Sequence, residues 1–116
     1  MIRQGAKANV EFAGHYTVPR WGCGSGCGQL AIVDSVSGRV YHAPFSDVAD
    51  FPLSWVEHQS GGKGWPERIE FRTDSRLLKV NGCPNEMDCG FYDYLMADGK
   101  GLNLIRKELL LKQFQP

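Results

Sequence analysis

The chain has no surplus of charge of either sign, no long apolar run, no cluster of basic residues and no internal repeat of clear period. Thirteen Lys and Arg residues balance thirteen Asp and Glu residues over 116 positions, for a formal net charge of zero. Nucleic-acid binders carry a basic surplus on one face and polybasic membrane binders carry a cluster. Here no Lys/Arg run exceeds Arg106-Lys107, so neither a nucleic acid nor a membrane is an expected partner. No stretch reaches the roughly 18 to 20 apolar residues needed to cross a bilayer, and the start, MIRQGAKANV, lacks the apolar core of a signal peptide. The chain therefore reads as soluble and untargeted. Four cysteines are too few to constitute a disulfide-built mini-protein; they trim a fold that a core must supply.

What is present is ordinary for a globular domain: 42% hydrophobic, 11% aromatic and 22% charged residues. At this length one domain, residues 1–116, buries roughly two-thirds of its unfolded surface. Residues 1–11 read as an N-terminal arm, because Gly5 weakens the one helical turn they hold. From Phe12 onward, short β-branched and aromatic runs alternate with turn residues, which predicts an all-β domain. HYTVPRW is the first strand, with Pro19 marking an edge or a strand end. QLAIVD and RVYHAPF flank the turn SVSG; Leu30, Ala31, Ile32 and Val33 are apolar on both faces and predict a central strand. Residues 46–66 form a long loop in which Leu53, Trp55 and Val56 suit a short helix or strand. RIEFRTDSRLLKVNG is a hairpin turning at Thr73-Asp74-Ser75, with Ile69 and Phe71 on one face. GFYDYLMA and LNLIRKELLL pair around Asp98-Gly99-Lys100-Gly101, because Asp-Gly between apolar runs favours a hairpin over the helix that Leu102, Ile105 and Leu109 also fit. About seven strands joined to their neighbours predict a mainly β, single-domain antiparallel meander, barrel-like or blade-like. An unpaired edge strand would support a homodimer.

The chemically unusual stretch is WGCGSGCG, residues 21–28. Cys23 and Cys27 enclose three residues, and Cys83 and Cys89, in CPNEMDC, enclose five. Three disulfide connectivities are open, and buried free thiols are a further possibility. Zinc knuckles favour about two residues between paired ligands, so C-x3-C with C-x5-C is a poor metal pattern even with His15 or His42 as a substitute ligand. A cysteine nucleophile needs a neighbouring imidazole, cation or helix N-terminus to lower its pKa, and no helical pattern follows CGSGC. The leading reading of the stretch is a glycine-permitted turn held by a disulfide. Histidines on strands, His15 and His42, and His58 in the loop, are first read as hydrogen-bonding residues. Asp47, Asp50 and Glu57 are read as solvated loop acids, and the tryptophans and tyrosines as core and rim.

Several motifs together, F-A-G-H-Y at 12–16, W-G-C-G-S-G-C at 21–27, A-I-V-D-x-x-x-G-R-V-Y at 31–41, D-S-R-L-L-K-V-N-G at 74–82 and D-C-G-x-Y at 88–92, resemble a family of small uncharacterised bacterial proteins that are often exported. The resemblance spans nearly the whole chain from about Ile2. It implies a periplasmic or secreted location, although no signal peptide stands in this chain, and it favours disulfides; it carries no activity. SVSGRVY at 35–41 also resembles the S-x-S-G-x-x-Y loop of bacterial c-type lysozyme inhibitors, small periplasmic β-barrels. That similarity implies protruding inhibitory residues at Ser35, Ser37 and Tyr41, while an ordinary hairpin turn explains the same letters.

No triad, phosphate loop or metal pattern emerges, so no catalytic residue, metal ligand or cofactor is assigned. The expected function is a non-enzymatic binding, inhibitor or immunity-type β domain that takes a protein or small-molecule ligand. Candidate binding residues are His15, Tyr16, Trp21, Tyr41 and Trp55. The alternative is a thiol- or metal-dependent enzyme centred on Cys23, Cys27 and His15.

Overall fold

The alternation in GFYDYLMA becomes a strand with Tyr92, Tyr94 and Met96 buried and Phe91 and Leu95 outside, because successive side chains leave opposite faces of a strand. The computed structural model describes residues 10–59 and 64–116. Among these lie strands β1 (Tyr16–Thr17), β2 (Arg20–Gly22), β3 (Cys27–Asp34), β4 (Val40–His42), β5 (Val48–Ala49), β6 (Ile69–Phe71), β7 (Leu77–Pro84), β8 (Gly90–Ala97) and β9 (Gly101–Leu109), with one helix, α1 (Leu53–His58), and a closing 3-10 turn at Lys112–Phe114. Nearly all of the predicted arm, residues 1–9, lies outside the described residues.

All strand pairs are antiparallel, and the path β1-β3-β5-β7-β8-β9 stays open. The mainly β, single-domain expectation therefore holds. The described residues hold nine strands where the sequence predicts about seven, for two reasons. Thr17↔Val33 and Arg20↔Leu30 continue one register on β3, so β1 and β2 are the predicted first strand interrupted at Pro19, which has no N–H to give the ladder. The other addition, β5, is only two residues long and lies within the predicted 46–66 loop, as does α1.

β3 is central as predicted, with β1 and β2 along one side and β4 and β5 along the other. β5 alone bridges to β7, through Gly28↔Val48 and Ala49↔Cys83. The sheet therefore bends about β5 into two halves that close over one core, in which Leu30 and Ile32 of β3 meet Leu78 and Val80 of β7 and Tyr94 and Met96 of β8. Full burial of each such aliphatic side chain contributes about 1.5–3 kcal/mol. A smaller cluster of Phe51, Cys83 and Cys89 sits at the far end, with Trp55 packed on it.

Gly82 and Gly90 face each other across β7 and β8. A Cβ on Gly82 would lie 2.5 Å from the Ala49 carbonyl oxygen, and one on Gly90 2.5 Å from that of Glu108. These glycines let four backbones, those of β5, β7, β8 and β9, converge beside the Cys83–Cys89 disulfide. Gly82→Ala and Gly90→Ala are each expected to cost about 1–3 kcal/mol through overpacking, read as a lowered urea midpoint. An unchanged midpoint would mean the strands have room to spread.

β9 folds as the predicted strand and forms one edge of the sheet, with Leu104, Ile105 and Leu109 about half exposed. No helix among the described residues is long and apolar enough to cross a membrane.

Candidate functional site

All four cysteines are paired locally, Cys23 with Cys27 and Cys83 with Cys89. Cys23 and Cys27 close the turn between β2 and β3, where the Cys23 amide donates to the Cys27 carbonyl at 3.4 Å. Gly24 and Gly26 take φ of 133° and 69° there, which L side chains rarely adopt. The expectation of a disulfide-held, glycine-permitted turn fits this geometry. The Asp47 carboxylate lies within 4.8 Å of both sulfurs, yet disulfide sulfur offers no thiolate to a metal or a substrate. The thiol-enzyme alternative would require this bond to be reduced first.

Three of the five candidate binding residues meet at one end of the sheet. The Tyr16 hydroxyl donates to Asp98 Oδ1 at 2.5 Å, and Arg76 grips the same carboxylate with two bonds of 3.1 and 3.0 Å. His15 Nε2 lies 3.7 Å from Asp98 Oδ1 and 4.0 Å from Asp34 Oδ2, its ring 4.1 Å from that of Tyr16. The Tyr41 hydroxyl accepts the Gly99 N–H at 3.1 Å, and the Arg39 guanidinium covers the Tyr41 ring at 4.9 Å. Tyr41 is thus held against the β8–β9 turn. Asp34 accepts the Val36 and Ser37 N–H groups, so Ser35 to Gly38 form an ordinary hairpin turn.

Hydrogen bonds from Arg76 and then Tyr16 bring the Asp98 carboxyl down to about 2. Burial first, and the hydrogen bond to Asp98 second, push the Tyr16 phenol above its ordinary value. Burial alone would raise Asp34; the N–H groups of Val36 and Ser37 outweigh it and hold the carboxyl low. The donors and acceptors of this end are largely spent on one another. It ties β1, the Ser35–Gly38 turn, the start of β7 and the β8–β9 turn to one another.

The sign of its pH dependence follows. Asp98 has a folded pKa below its unfolded value, so its stabilisation is present above about pH 4 and fades as the pH falls towards about 2. Asp98→Asn should lower the urea midpoint at neutral pH and flatten the loss of stability between about pH 5 and pH 2. Parallel acid profiles for the two proteins would contradict this assignment.

The open site lies elsewhere. A groove of about 640 Å³ runs between β2 and the segment leading into β6, within the usual range for ligand sites. Arg20 and Trp21 form one wall and Trp65 to Ile69 the other. Trp21 and Trp65 are each about half exposed, at 49% and 48%. Both indoles are fixed through their N–H groups, Trp21 to Gln29 Oε1 and Trp65 to the Phe51 carbonyl at 2.6 Å. Gly28 lies at the floor, where a Cβ would sit 3.4 Å from Arg68 Nε; the missing side chain is what lets Arg68 lie down across the strand. Arg68 is locked to Asp50 at 2.9 Å and Arg20 to Glu11 at 3.0 Å. No family model, curated protein or solved structure matches the chain.

Of the candidate residues, then, Trp21 alone reaches the groove. His15, Tyr16 and Tyr41 share the turn-tying network, and Trp55 packs edge-on against Phe51 at 4.6 Å. A second hollow, of about 440 Å³, lies between the two disulfides and Pro116, with no indole at its rim. Arg20 and Arg68 are not among the sequence candidates, Gly28 is read only as part of the turn, and Trp65 is read as core or rim. Only Trp65 had a local signal, as an aromatic directly behind GGKG; the others depend on strand register.

Proposed function

We propose that the protein is a non-enzymatic binding domain, of the inhibitor or immunity type, that receives its partner in the groove between Trp21 and Trp65. The observation that carries this reading is an open groove of about 640 Å³ lined by two half-exposed tryptophans, each with its indole N–H hydrogen-bonded. Exposed aromatics with fixed rotamers supply contact area at little entropic cost. Paired arginines and a glycine floor give the groove shape without a nucleophile or an activated base. The disulfide turn serves as its buttress, since β2 and β3 diverge from it and carry one wall.

The test is a panel of linear peptides, oligosaccharides and nucleotides followed through the three indole N–H signals in an NMR spectrum. A binder should shift Trp21 and Trp65 while Trp55 stays in place, and Trp65→Ala should weaken it about tenfold or more, as for an aromatic hot spot. Binders that act only on His15 or Tyr41 signals, or a panel with no binder, would overturn the proposal. So would turnover of any panel member.

A further inference from the structure

The rims of the groove are also strand edges, and their hydrogen-bonding phase can be read from the register. Ala31 donates to the Pro19 carbonyl and Cys23 to that of Cys27, so positions 19, 21 and 23 are the ones that bond to β3. In an antiparallel ladder the intervening residues turn their N–H and C=O the other way. Val18 shows this phase directly, because its outward N–H is taken by the Glu11 carboxylate at 3.1 Å. Arg20 and Gly22 share that phase, and among the described residues their outward groups have no backbone partner. Across the groove, the Asn81 N–H donates to the Arg68 carbonyl, which turns the groups of Ile69 outward. An unpaired edge is a template for an added strand.

Charge selects what that strand carries. Arg20 and Arg68 are neutralised by Glu11 and Asp50. Glu67, exposed on the groove wall two residues from Trp65, has no cation within ion-pair distance among the described residues. A carboxylate in a groove that two tryptophans also line favours a cationic side chain, which gains from the charge and from the rings together.

Resting on the groove reading above, we infer that the occupant is an extended polypeptide segment that adds to the free edge of β2 at Arg20–Gly22 and places a Lys or Arg side chain beside Glu67, Trp21 and Trp65. Backbone bonds to Arg20 and Gly22 supply general affinity. The basic side chain supplies the choice among segments.

The probe is a set of Thr/Val host hexapeptides in which Lys, Arg or Glu is walked through each position, titrated into the whole protein. Lys or Arg at one position should bind about three- to tenfold tighter than Glu there, with downfield shifts and slowed exchange at the Arg20 and Gly22 amides. Glu67→Lys should reverse the preference towards Glu-bearing peptides, an effect that mere loss of structure cannot produce. N-methylation of alternate peptide amides should abolish binding in one phase and spare it in the other. Peptide binding that ignores both phases of methylation, ignores charge at every position or leaves Arg20 and Gly22 unshifted would overturn the inference. Peptides that fail where an oligosaccharide or nucleotide still shifts both indoles would sink this inference and leave the groove reading standing; failure of every probe removes both.

Discussion

Phe12→Ala should unfold the protein at a denaturant concentration far below that of the wild type, with a loss of about 3–5 kcal/mol. Phe12 is fully buried and meets Phe71 edge-on at 5.9 Å. It also anchors a tight reversal: Phe12 bridges Tyr16, Ala13 and Gly14 take positive φ, and the Gly14 N–H donates to the Thr73 carbonyl at 2.8 Å. Removing the ring would leave a cavity and loosen the loop that brings Glu11 to Val18 and Arg20. Chemical denaturation of Phe12→Ala beside Phe12→Leu separates these effects, since leucine fills most of the volume. A loss under about 1 kcal/mol for the alanine variant would mean that the loop docks without the ring, against the usual cost of an emptied core site.

The two disulfides should be unequal. Their loops are short and close in length, with separations of 4 and 6 residues, so the chain-entropy contribution is about 2 kcal/mol for each. Burial breaks the tie. Cys83 and Cys89 are 4% and 1% exposed and pack with Phe51, whereas Cys23 lies at the surface. Their pairing also extends the β7–β8 ladder one step beyond Gly82↔Gly90. The Cys83→Ala, Cys89→Ala double variant should therefore lose about 3–5 kcal/mol, and Cys23→Ser, Cys27→Ser about 2 kcal/mol or less. Urea midpoints of the two double variants check the order. The reverse order would assign the structural weight to the WGCGSGCG turn.

How much of this was legible beforehand depends on range. β8 and β9 were readable because period-two alternation and an Asp-Gly turn are local signals, and Pro19 announced the break between β1 and β2. β5 gave no signal, since a two-residue strand has no periodicity. Phe12 was assigned to the start of the β region rather than to the core because its burial depends on Phe71, far along the chain. Spacing leaves the cysteine partners open; Cys23–Cys27 follows from the register of β2 on β3 and Cys83–Cys89 from that of β7 on β8. Among the binding candidates, aromatic character correctly singled out Trp21 but could not separate it from Trp55, whose indole is half-buried against Phe51 and Phe91. The groove itself unites residues 20–29 with residues 65–69, and no local pattern encodes that meeting.

The claim at the centre is that one groove does the binding, and a filled floor tests it most directly. At Gly28 the backbone is free of positive φ, and the nearest obstacle to a side chain is the flexible end of Arg68. Gly28→Leu should keep the fold, seen as an unchanged spectrum for residues of β7 to β9, and should abolish binding of every panel member that shifts Trp21 and Trp65 in the wild type. A folded Gly28→Leu protein that binds those same compounds as tightly as the wild type would contradict the account.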